Sequence, residues 1–122
     1  MRDKFSLVYL KTLLVVLVLD SLYLSIIGKS FGRLVQSVQG SKLKLNFVGA
    51  GLCYLLLAFV ISYFVVFKKL SKVDSLLLGS SVYGVFDLTN LAIFKKWDPV
   101  LSVIDIVWGG LLFLLSRYIV QV

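Results

Sequence analysis

The sequence contains no histidine and no glutamate, one cysteine (Cys53), one proline (Pro99) and few charges for its length. Without histidine the usual zinc motifs and the commonest general base are gone. A single cysteine excludes an intrachain disulfide and gives no reading of the redox compartment. Charged residues make up 16% of the chain and hydrophobic ones 60%, against about a quarter and about 45–50% in soluble domains. That balance describes a chain solvated by lipid. The 122 residues form one domain, 1–122, with no room for a membrane part and a sizeable soluble part together.

What is present is apolar runs with basic flanks. Thirteen Lys and Arg stand against 6 Asp, a net charge of +7. The basic groups cluster just outside the apolar runs, where anionic membrane lipids are their partners. No interleaving of aromatic and basic residues suggests nucleic acid. A membrane helix needs about 20 apolar residues, and four stretches supply them, at 5–27, 47–67, 75–94 and 99–120. Residues 2–25 do not read as a cleavable leader, because Asp20 falls where a small-residue cleavage site belongs.

Short polar connections separate these stretches. "KKLSKVD" lies between the second and third, with Asp74 or Ser75 as the expected cap, and Asp98 precedes Pro99 at the start of the fourth. The fold expected is all-α: an integral membrane four-helix bundle, up-down-up-down. The longer connection, 28–46, has room for a short interfacial helix over "SFGRLVQSV". Seven basic residues on the terminal side against six on the other give no orientation.

Three carboxyl groups lie inside these spans. Asp20 is seven residues from the end of the first span, Asp87 seven from the end of the third, and Asp105 six past Pro99. All three therefore sit roughly 9–11 Å from one membrane face, the one carrying connections 28–46 and 95–98. Helical spacing puts Val16, Asp20, Tyr23 and Ile27 on one stripe. It aligns Ser80, Tyr83, Gly84, Asp87 and Leu91 on another, with Asn90 at its edge, and Asp98, Ser102, Asp105, Gly109, Leu112 and Ser116 on a third. Stripes of small, hydroxyl and carboxyl side chains suit the inward faces of a membrane bundle. Carboxyl groups gathered at one depth exchange protons as a coupled set, which an incoming cation would displace. The plainer reading is that they act as interhelical glue. Asn46 would complete the rim, Trp97 would anchor at the interface, and Trp108 would form a wall. The glycines at 49, 51, 79, 84, 109 and 110 would be close-packing sites.

"YGVFDLTNLAIFKKWDPVLSVIDIVWG", with "LDSLYLSIIGKSFGRLV" upstream, resembles a family of small four-span membrane proteins known only as a domain of unknown function. Its pattern is Y-G-x-[YF]-D-L-T-N-L-A, a short loop with tryptophan, then D-I-x-W-G. On this chain the resemblance marks Asp20, Tyr83, Gly84, Asp87, Thr89, Asn90, Asp105, Trp108 and Gly109. The first helix departs from the pattern, with "DSLYL" where a tryptophan is usual. The resemblance implies four spans and supplies no activity.

Three functions follow from these residues. The first is binding or translocation of a proton, a cation or a cationic, lipid-like small molecule. Asp20, Asp87, Asn90, Asp105, Tyr83 and Tyr23 would form the site, supported by Thr89, Ser80, Ser102, Trp108, Gly84 and Gly109. The second is a structural or assembly subunit of a larger membrane complex. The third is a lipid-modifying enzyme with an Asp acid/base pair, although no nucleophile, nucleotide, cofactor or metal motif accompanies it. A four-helix chain seldom encloses a pore alone, so transport would call for a homo-oligomer.

Overall fold

Capping chemistry sets the helix ends in the computed structural model, which describes residues 2–121 and, of Arg2 and Asp3, only the backbone. Met1, Val122 and the Arg2 side chain counted in the orientation balance lie outside the described residues. Helix α1 runs over Arg2–Gln39. It stops where Gly40, at φ 78°, takes the left-handed conformation that glycine adopts without strain. Helix α2 starts at Phe47, after the Asn46 side chain accepts a hydrogen bond from Gly49 N at 3.1 Å. Helix α3 is Lys72–Ile93, capped by Ser71, whose hydroxyl accepts from Asp74 N. This start is three residues earlier than the sequence suggests, and the cap is Ser71 instead of Asp74 or Ser75. Helix α4 is Pro99–Ile119, with Asp98 accepting from Val100 N at 2.8 Å as expected.

Helix α2 changes pitch partway. After Phe47–Val60 it widens into a π-helical segment, Ile61–Phe67, and five-residue hydrogen bonds continue past it, Lys68 N to Tyr63 O and Leu70 N to Val65 O, both 3.0 Å. No sequence signal announces this. The wider turn buries Ile61, Ser62, Val65 and Val66 together.

The connection 28–46 differs from the expectation. No separate interfacial helix exists among the described residues; α1 continues without a break through Gly28 and Gly32 to Gln39. At 1.5 Å per residue its 38 residues span about 57 Å, well beyond the roughly 30 Å of hydrocarbon. Packing holds the extension: Leu34 is buried, and the Phe31 ring meets the Trp97 ring edge-on at 6.0 Å. Hydrogen exchange in lipid nanodiscs is expected to protect the amides of residues 32–38 as strongly as mid-helix amides. Exchange at loop rates there would contradict a continuous α1.

Four described helices and no strand make an all-α bundle. Each helix is long and apolar enough to cross a membrane, and the outward faces carry exposed Leu, Val, Ile and Phe, as a lipid-solvated surface requires. The helices are not equally engaged. α3 and α4 pack along their length, and α1 packs on α2, on the π-helical segment and on α4. The Phe47–Val60 half of α2 leans on α1 and scarcely touches α3. The bundle is thus closed at its terminal side, where Val16, Ile61, Val65, Leu112 and Phe113 are fully buried. Arg117 adds a clamp there, donating from Nε to Leu70 O at 2.9 Å. On the other side a gap remains between α2 and α3.

Glycines confirm where backbones approach. A Cβ on Gly79 would collide with the Gly109 carbonyl, and one on Gly109 with the Tyr83 ring. Gly110 is closed in by Ser80 and Leu76, and Gly84 makes ordinary contact with Ile106. Gly49 and Gly51, expected to pack closely, do not: Gly51 has nothing within 4 Å and Gly49 meets only Asn46. Both lie on the half of α2 that has a neighbour on one side alone.

Candidate functional site

Between the half-open α2 and the α3–α4 hairpin lies a chamber of about 390 Å³. Asp20 and Tyr23 of α1, Tyr83 and Asp87 of α3, and Asp105 of α4 all line it. The helical stripes explain this convergence: each carboxyl sits on the buried face of its helix, at the depth where α1, α3 and α4 surround one space.

The three carboxyls have different surroundings. Asp20, buried, accepts the Tyr54 hydroxyl on Oδ2 and the Trp108 indole N–H on Oδ1 at 3.1 Å. It ties α1 to both α2 and α4. Asp105, half-buried, accepts the Tyr23 hydroxyl at 3.1 Å. The Tyr23 ring lies flat on Trp108, with centroids 4.7 Å apart and planes 1° from parallel. Two side chains of α1 and two of α4 therefore brace one another through a stack and two hydrogen bonds.

Asp87 is different. It is 2% exposed, its neighbours are the Asp105 carboxyl and the Trp97 indole, and its Oδ2 makes no hydrogen bond. Trp97, 7% exposed, also has an unpartnered N–H. Buried polar atoms in native structures are nearly always satisfied; these two lie near each other at the chamber, and Ser116 Oγ on α4, away from it, is a third without a partner. No lysine or arginine lines the chamber among the described residues; the remaining walls are aromatic and aliphatic.

Trp97 therefore does not serve as the interfacial anchor expected from its loop position. Phe31, Phe86 and Phe94 surround its ring at 6.0–6.2 Å, because the extended α1 folds over it and withdraws it from the interface. It forms a roof. Above the roof a vestibule opens, lined by Arg33, Lys95 and Lys96 together with Ser30 and Ser37, three bases against the one acid Asp98.

Not every residue singled out in the sequence reaches the chamber. Thr89 is exposed and faces a shallow groove on the outside of α3. Asn90 is half-buried and does not line the chamber. Asn46 caps α2 at the surface and completes no rim. Ser80 donates to Ile106 O at 3.1 Å and Ser102 to Asp98 O at 2.9 Å, so both serve helix packing. Gly84 and Gly109 let α4 approach α3. Conversely, Tyr54, Cys53 and Phe31 line the chamber without having been singled out. Tyr54 had a signal, since it lies seven residues past Phe47, at the depth of the acids. Among the described residues, no three His, Cys, Asp or Glu side chains group as metal ligands.

With the geometry in place, comparison with known proteins gives a family. The chain belongs to the family described as "Predicted membrane protein (DUF2177)", which matches residues 5–120. No curated protein and no solved structure matches it. The protein is a multi-pass integral membrane protein with four membrane-spanning helices.

Proposed function

We propose that this member of the predicted membrane protein family is an intramembrane binding protein, and that its chamber holds the cationic group of a small molecule against Asp87 and Asp105. The observation that carries this reading is the buried, unpartnered Oδ2 of Asp87 beside a cavity of about 390 Å³. Ligand sites of roughly this size, largely apolar with a few converging polar groups, are the usual small-molecule pockets. Carboxyl groups in hydrocarbon are costly enough to count as functional by default. The fully buried residues of the terminal half close that end, which favours a dead-ended binding site over conduction through one chain. The basic vestibule suits anionic lipid headgroups at the adjoining membrane surface.

A structural role has its own support at Asp20 and, through the Tyr23 hydroxyl, at one oxygen of Asp105. Both Asp20 oxygens are occupied by Tyr54 and Trp108, as interhelical glue requires.

The chain's only tryptophans, two in number, are Trp97 in the chamber roof and Trp108 beside Tyr23, so intrinsic fluorescence reports on the site. Titrating n-octylamine into nanodisc-embedded protein at pH 7 is expected to change that fluorescence saturably, beyond the change in Trp97→Phe protein. Asp87→Asn is expected to weaken the response at least tenfold. Equal responses from wild type and Asp87→Asn, with helicity preserved in both, would defeat the proposal.

A further inference from the structure

The chamber's chemistry narrows what it takes and how the ligand arrives. A bare metal cation is poorly served: hard cations want six or more oxygen ligands, whereas here both Asp20 oxygens and one Asp105 oxygen already accept hydrogen bonds. The aliphatic walls, Leu24, Ile27, Leu57 and Leu101 among them, call for a ligand with a hydrocarbon body. The aromatic rings of Tyr23, Tyr54 and Tyr83 among the lining residues are compatible with an ammonium head.

Access is constrained at both ends of the bundle. The terminal half is packed solid. The water-facing vestibule carries three bases against the one acid Asp98 and is parted from the chamber by Trp97, Phe31 and Leu34, so it opposes an approaching cation. What remains is the gap between α2 and α3, flanked by exposed Cys53, Val82 and Phe86, all three of which also line the chamber. This mouth opens towards lipid, through which a charged molecule moves only at high cost.

Resting on the binding reading above, we infer that the ligand is a lipid-soluble primary or secondary amine, admitted uncharged from the bilayer through the α2–α3 gap and given its proton by the Asp87–Asp105 pair. In that step the amine lone pair forms the new N–H bond while the carboxyl O–H bond breaks, leaving an ammonium against a carboxylate with no net charge moved into the membrane. The ionised Asp87 then accepts from both the ammonium and the Trp97 N–H beside it, so the two orphaned atoms gain partners in one event. The titratable groups facing this pair are Asp20 and Tyr23 from α1, Cys53 and Tyr54 from α2, and Tyr83 from α3. None of them is a base that would compensate the carboxyls in the empty chamber. An amine that was an ammonium in water sheds its proton before crossing the lipid, so each binding event returns one proton to the aqueous phase.

The test uses nanodisc-embedded protein with n-octylamine, octyltrimethylammonium and n-octanol as probes and protein-free nanodiscs as the blank. Octylamine is expected to release about one proton per protein into weakly buffered medium, and its binding to tighten about tenfold per pH unit between pH 5 and 7, by proton linkage. Octyltrimethylammonium, which cannot shed its charge, is expected to bind at least tenfold more weakly than octylamine. Saturating octylamine is also expected to slow alkylation of Cys53 by N-ethylmaleimide at the mouth, a readout that needs no variant. If octylamine binds without proton release, or if the quaternary probe binds equally well, proton transfer and uncharged admission are overturned while the carboxylate site stands. Unchanged Cys53 alkylation would overturn the α2–α3 mouth. Octanol binding as well as octylamine, and undiminished in Asp87→Asn, would overturn the site reading itself.

Discussion

Alanine at Gly79 is expected to destabilise the bundle by about 1–3 kcal/mol, the range for overpacking a filled interior. The new methyl group would run into the Gly109 carbonyl and come within 2.7 Å of Phe113 Cγ. A side chain can rotate away, but a backbone carbonyl inside a helix cannot move without taking α4 with it. Phe113 is fully buried and has no free volume to retreat into. Helix propensity pulls the other way, since alanine is favoured over glycine by about 1 kcal/mol, yet that gain is smaller than the separation of two helices along their contact. Between membrane helices the loss matters more than in water, because close van der Waals packing is a main source of association there. Gly51→Ala is the control: with nothing within 4 Å of its added methyl, only the propensity gain remains, so stability should hold or rise slightly. Unfolding titrations in mixed micelles would separate the two. Equal stability for both variants would mean that α3 and α4 do not meet at Gly79. Gly109→Ala should combine the steric penalty with a functional one, because the group it displaces, Tyr83, lines the chamber.

Length and flanks made the four helices legible, because about 20 apolar residues can do little else in a bilayer. The extension of α1 was hidden. Gly28, Gly32 and the charges around them read locally as a break, and each helical glycine does cost about 1 kcal/mol relative to alanine. What outweighs that is Phe31 and Leu34 meeting the α3–α4 loop, a contact between residues far apart in sequence. Burial of Trp97 was hidden for the same reason. Depth along each span brought Asp20, Asp87 and Asp105 together, and the same arithmetic applied to tyrosines would have added Tyr54. Thr89 shows the converse. It lies two positions beyond Asp87, about 200° around the helix, so periodicity alone places it on the outer face; only the motif "DLTNLA" points to it. The orphaned Asp87 oxygen could not be read at all, since whether an acid has a partner depends on which neighbours arrive.

The same substitution is expected to act differently at two acids of this layer. Asp20→Leu should lower stability by about 1–3 kcal/mol, because it strands the Tyr54 hydroxyl and the Trp108 N–H, two half-buried donors that lose their acceptor together. Measured intramembrane hydrogen bonds average only about 0.6 kcal/mol, which sets the lower end of that range. Asp87→Leu removes a buried carboxyl that has an unpartnered oxygen and replaces it with a side chain of the same branched shape, whose bulkier methyl groups have the adjoining chamber to enter. Removing a buried polar group whose loss strands no hydrogen-bonded partner avoids the usual penalty, so stability is expected to hold or rise by up to about 1 kcal/mol, together with loss of octylamine binding. A protein keeps a residue that does not strengthen its fold when that residue does something else, and the two acids would then divide the layer into a brace and a site. Unfolding of both variants in one mixed-micelle series decides the matter. If Asp87→Leu falls as far as Asp20→Leu, Asp87 is a structural residue whose partner forms only in the folded membrane state, and the chamber loses the group on which its chemistry turns.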